Sequence, residues 1–157
     1  ASADPKVVDR SLSASLPSRV KLSMKARWRD KVGRHGFDTE FLGYDLTEKI
    51  KQEDVDEALV LLHNVCAPCP PDIAVKAATA LRLRTKARRE HVDDLKMMVA
   101  LFAEDLSQYP ADVVVDACKT WGTTNIFFPS WAELKELLDR RVRVRRAMQS
   151  AIIANRI

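Results

Sequence analysis

Residues 106–138, LSQYPADVVVDACKTWGTTNIFFPSWAELKELL, decide how this chain is read. Tyr109-Pro110 breaks one helical pattern and opens another, because proline cannot continue a helix but fits its first turn. Val114, Cys118 and Trp121 then recur at helical spacing, an inward stripe over 110–121 that Gly122 is expected to close. TTNIFFP is expected to be extended, since the residue before Pro129 is pushed out of the helical region. Ser130-x-x-Glu133 has the spacing of a capping box, in which each residue's side chain satisfies the other's backbone N–H, and it starts a last helix at Trp131 that runs into the C-terminal arginines.

Upstream the same periodicity continues. A helix over about 47–66 carries Ile50, Val55, Leu59, Leu62 and Val65 on one stripe, and CAPCPPD ends it. Asp72 is placed to cap a second helix, 72–89, which carries Ile73, Ala77, Ala80 and Leu81 and then turns basic. A third, 91–108, has Leu95, Met98, Phe102 and Leu106. Toward the N-terminus, Ser-rich residues 1–16 read as a flexible leader. Val20, Met24, Trp28 and Val32, four apart among six cations, read as a short helix with one apolar seam, which Gly33 and Gly36 stop. HGFDTEFLGYDL reads as an irregular linker. The expected fold is all-α, a compact bundle of about five helices, with a basic N-terminal arm (1–46), a helical core (47–139) and a long basic C-terminal helix (140–157).

Composition narrows the function. The 157 residues are 46% hydrophobic with a net charge of +4, the range of a single folded domain. No apolar run reaches the roughly 18 residues of a bilayer span, so no membrane role is expected. Four dispersed glycines (33, 36, 43, 122) offer neither GxGxxG nor GxxxxGK[ST], leaving no phosphate cradle. The charge is segregated: residues 1–36 hold nine Lys/Arg against three acids, 38–62 hold two against eight, and 140–157 hold six arginines and no acid. Two basic ends suit nucleic acid or an acidic protein surface. Three cysteines and the lack of an apolar leader in Ala1–Lys6 suggest a reducing, cytoplasmic setting.

Candidate chemistry is sparse. His63-x-x-Cys66-x-x-Cys69 has zinc-like spacing, with Cys118 as the one possible fourth ligand; two thiols tucked into a core at a helix end is the competing reading, and no metal is assigned. His35, His63 and His91 lie outside any HExxH or GxSxG setting, and adjacent carboxylates such as Asp93-Asp94 point to different sides of a helix. No catalytic residue and no cofactor are expected. Trp121, Phe127, Phe128 and Trp131 read as a core staple, whereas Trp28 lies among cations. The strongest feature is Arg140, Arg141, Arg143, Arg145 and Arg146: on a helix, 140, 143 and 147 share one side and 141, 145 and 148 the next, a charged rod fit for phosphates or an acidic protein. Arg19, Lys25, Arg27 and Trp28 form the second candidate binding group.

Residues 107–138 resemble the loader/inhibitors of the hexameric phage replicative helicase. Ala117, Thr124, Asn125, Phe128, Pro129, Ala132, Glu133 and Leu134 occupy the matching places, and helix order agrees over about 54–138. FFPSW stands where that family more often has a second proline, and the basic N-terminal arm is an addition. The resemblance implies a non-enzymatic helical protein in the bacterial host cytoplasm that binds the helicase through its C-terminal region and helps deliver it to an initiator. The other readings are a protein that binds single- or double-stranded DNA directly or packages it, and a homo-oligomeric scaffold joined through the Val20/Met24/Trp28 seam and Ile152-Ile153.

Overall fold

A computed structural model describes residues 4–18, 20–30, 37–46, 48–87 and 95–155, with backbone alone at 27–30, 37–40 and 95. The expectations placed on Arg19, Val32, Gly33, His35, Gly36, Thr47, His91 and Asp93-Asp94 lie outside the described residues. Among the described residues the chain is mostly helical, with a small two-stranded sheet. Element order is α1 (Pro5–Ser15), β1 (Leu22–Asp30), β2 (Phe37–Leu46), α2 (Gln52–Val65), α3 (Pro71–Arg84), α4 (Leu95–Leu106), α5 (Ala111–Thr124) and α6 (Trp131–Ala154). Two compact units are built from these: Ala1–Ser11 with Asn64–Arg143, and Leu12–His63 with Val144–Ile157.

The all-α expectation is corrected by the sheet. The stretch read as a cationic helix is strand β1, antiparallel to β2, from Leu22 opposite Leu46 to Asp30 opposite Phe37. The reason lies in the spacing itself. A separation of four is a multiple of two, so Val20, Met24 and Trp28 fit a strand as well as a helix. With Leu22 and Ala26 between them, the run alternates strictly with Lys21, Ser23, Lys25, Arg27 and Arg29, which is the strand pattern. The supposed linker supplies the partner. Register skips one residue between Lys25 and Ala26, leaving Leu42 as a bulge on β2 beside Gly43, whose φ is 135°. A side chain at that φ is strained by about 1–3 kcal/mol. Gly43→Ala is therefore expected to loosen the hairpin, read as faster amide exchange at Lys25 and Ala26 with little change elsewhere.

The N-terminal leader is also corrected, since residues 5–15 form a helix. Asp4 caps it, its Oδ1 accepting from the Lys6 N–H at 2.9 Å, and Pro5 fills the first position. Asp-Pro is a helix start. In the first unit α3, α4, α5 and the start of α6 enclose Leu81, Phe102, Leu106, Val113, Val114, Phe128, Leu134 and Leu138. Helix α3 stops at Arg84, short of the expected 89, because Thr85 turns extended and Lys86 pairs with the segment after α5: its N–H donates to Ile126 O at 2.7 Å, and it accepts from Phe128 N–H at 2.9 Å. Asp72 does not cap α3; Pro70 takes that position and Asp72 lies in the first turn, where its charge complements the positive end of the helix dipole. Gly122 does not end α5 either, which continues to Thr124; a Cβ at 122 would stand 3.2 Å from the Arg84 side chain, so glycine here lets α3 approach α5. In the second unit the buried residues are Leu12, Leu16, Val20, Ile50, Val55, Ala58, Leu62, Arg145, Met148, Ala151 and Ile152. Ile50 donates its N–H to Asn155 O at 3.1 Å.

Candidate functional site

The basic C-terminal helix is the place to build from. Its first turn is fixed by the expected box: the Ser130 N–H donates to Glu133 Oε1 at 3.0 Å, and the Glu133 N–H to Ser130 Oγ at 3.2 Å. From that start, Leu134, Leu138, Val142, Arg145, Met148 and Ile152 fall on one buried stripe, at steps of four and three. Arg145 occupies a core position and has no exposed surface. The rod of charge expected from the sequence is corrected at that point: residues 141, 145 and 148 do share a side, but that side faces inward.

The other arginines are spoken for to different degrees. Arg141 Nε lies 2.9 Å from Asp116 Oδ2 of α5, each side chain under a third exposed. Among the described residues neither atom has a hydrogen-bond partner, so charge at short range holds the pair. Arg140 approaches Glu136 one turn back, at 3.4 Å, with both side chains well exposed, an arrangement worth about 0.5 kcal/mol at most. Arg143 and Arg146 are exposed and each engages a neighbour as well. The face α6 offers is thus narrow, centred on 140, 143 and 146. One further contact ties this helix down, the Tyr109 hydroxyl donating to Asp139 Oδ1 at 2.6 Å; within the helix, Lys135 Nζ meets Asp139 Oδ2 at 2.7 Å. Sequence reading missed Asp139 and Asp116 because charged residues on a helix say nothing of which neighbour they will face.

In the N-terminal group, Lys25 is likewise matched within the chain. Lys25 Nζ pairs with Asp45 Oδ1 at 2.7 Å, both half exposed. By register Arg27 stands opposite Glu40 and Arg29 opposite Asp38, while Trp28 stands opposite Thr39. The hairpin therefore lays the basic segment along the acidic one. The apolar seam proposed for self-association does not form as a helix: Val20 and Ile152 are buried, leaving Met24 and Ile153 exposed.

The aromatic cluster splits. Phe102 packs on Phe128 at 5.0 Å and edge-on to Trp131 at 5.5 Å, and Trp121 Nε1 donates to Phe127 O at 2.9 Å, while Ile126 and the Phe127 ring face water. Cys69 and Cys118 are buried free thiols, and Cys66 is half-buried. Among the described residues, no three His, Cys, Asp or Glu side chains stand together as a metal site. Burial, and then the neighbouring Cys69, push the Cys118 thiol from 9.0 up to about 12. At pH 8 about one Cys118 in ten thousand is then thiolate, against about one in ten for a free thiol. An alkylating reagent at pH 8 is expected to leave Cys118 unmodified in the folded protein and to modify it on unfolding, as mass spectrometry of peptides would show. Because the unfolded thiol ionises above pH 9 and the buried one does not, folding stability should also fall as pH rises from 9 toward 12.

A groove between α3 and α5, floored by Ala77, Ala80, Leu81, Val115 and Cys118, was not visible in the sequence. It depends on which faces of two separate helices meet.

Comparisons with protein-family models, with curated proteins and with solved structures gave no match.

Proposed function

We propose that this chain is a non-enzymatic adaptor of phage or bacterial DNA replication, akin to the helicase loader/inhibitors that residues 107–138 resemble, and that it engages a hexameric replicative helicase through the outward face of α6. The observation that carries this reading is the fate of the arginines. A phosphate-tracking rod needs cations spread around and along the helix. Here Arg145 is buried and Arg141 is held by Asp116, so the outward cations of α6 reduce to Arg140, Arg143 and Arg146, a local patch rather than a rod. Charged patches of this kind set the partner and its orientation more than they set raw affinity. The Lys25–Asp45 pair of the hairpin argues in the same direction, because it matches a cation of the second basic group to an acid of the same chain. Among the described residues no helix is long and apolar enough to cross a membrane.

The test is a sizing column loaded with the purified chain and the native host's replicative helicase. Co-elution with the hexamer, abolished by Arg143→Glu, is the expected result. Independent elution of the two, together with tight binding to duplex DNA, would replace the adaptor with the direct DNA binder.

A further inference from the structure

We infer that the groove between α3 and α5 is a second protein-docking site, one that takes an acidic amphipathic helix from a partner protein. The groove is open, about 280 Å³, and its walls are almost wholly apolar. Its rim is cationic on both sides: Lys76 and Arg84 on α3, Lys119 on α5, with no acid among its lining residues. All three are exposed, and among the described residues none of their charged ends has an ion-pair or hydrogen-bond partner. They differ in this from the cations of α6 and the hairpin, several of which are matched to acids of the same chain.

Lys76, Ala80 and Arg84 follow one ridge of α3 at steps of four, so a small residue stands between two cations. That leaves a notch for an apolar anchor, with a positive charge one turn to either side. The two cations are about 12 Å apart along the helix axis, eight residues at about 1.5 Å each. A single carboxylate or phosphate head group meets one of them. A helix with apolar residues at i, i+4 and i+7 and acids on its flanks meets the floor, the notch and the rim together. Nucleic acid would match the charges but has no apolar face to lay on Ala77, Leu81 and Val115. Gly122 contributes by letting α5 come close to Arg84, which brings the two helices to the spacing that shapes the groove.

The inference rests on the adaptor reading only in taking a protein as the partner. Its test needs no helicase, so one can fail while the other stands. Two labelled helical peptides of about 14 residues, four turns, carry the same leucines at i, i+4 and i+7; one has glutamate flanks and the other lysine flanks. Anisotropy with the full-length chain should show the glutamate peptide binding at least about tenfold more tightly, a difference of about 1.4 kcal/mol. Lys76→Glu combined with Lys119→Glu should reverse that preference. Ala80→Glu, which puts an acid in the notch, should weaken the glutamate peptide with circular dichroism unchanged. Equal binding of both peptides, insensitivity to these substitutions, or displacement of the peptide by one equivalent of oleate would each overturn the assignment.

Discussion

Arg145→Ala is expected to destabilise the protein by about 3–5 kcal/mol, while Arg143→Glu, two residues away on the same helix, leaves stability within about 0.5 kcal/mol. The contrast follows from placement. A guanidinium with no exposed surface is held by its neighbours rather than by water, and Arg145 is engaged by others in the structure. Cutting it back removes those interactions, strips a partner of its match and opens a hole between Val142 and Met148 on the buried stripe. Arg143 is exposed, so its contact with a neighbour is a solvated one and water takes over most of what the substitution removes. Urea unfolding followed by circular dichroism at 222 nm reads both. Function should move the opposite way: Arg143→Glu folds but loses the helicase, whereas Arg145→Ala affects binding through loss of structure.

Leu134→Ala is expected to cost about 2–5 kcal/mol. Leu134 is fully buried and directly follows the capped turn formed by Ser130 and Glu133, so its side chain is held in place by a fixed backbone and the core around it has little freedom to collapse. For a chain of this size each kcal/mol lowers the melting temperature by about 2–4 °C, so a fall of roughly 4–20 °C is expected. Leu83→Ala, on the exposed side of α3, is the matched control and should stay within about 0.5 kcal/mol.

What the sequence disclosed and what it hid divide along a physical line. The stretch 106–138 shows its bend, its cap and the order of its helices because each signal there is local (proline geometry, a capping box, an apolar stripe), while the end of α5, past Gly122 at Thr124, is set by the approach of α3. The hairpin was hidden by an ambiguity of period, since Val20, Met24 and Trp28 suit both 3.6 and 2; the alternation of Lys21, Ser23 and Lys25 with Leu22 and Ala26 was the signal that separates them. The helix at 5–15 was hidden behind a serine-rich composition, although Asp4-Pro5 and the spacing of Val8, Leu12 and Leu16 announce it. Arg145 was misplaced because its type outweighed its position. Carrying the stripe Leu134, Leu138, Val142 forward lands on 145, ahead of Met148 and Ile152. The Asp116–Arg141 and Tyr109–Asp139 contacts, and the α3/α5 groove, had no local signal at all, because they depend on which helix packs on which.

The central claim is that the outward face of α6 recognises a protein rather than neutralising a run of phosphates. The salt dependence of binding to a short duplex tests it most directly, since the log–log slope is about 0.9 per phosphate contact. With Arg140, Arg143 and Arg146 as the outward cations of α6, the slope should have a magnitude of no more than about 3, and Arg145→Lys should leave it unchanged because that side chain is buried. A slope of about 4.5 or steeper that falls by about one unit on Arg145→Lys or Arg141→Ala would contradict the account. It would mean that the inward arginines reach DNA and that the helix works as a phosphate-binding rod.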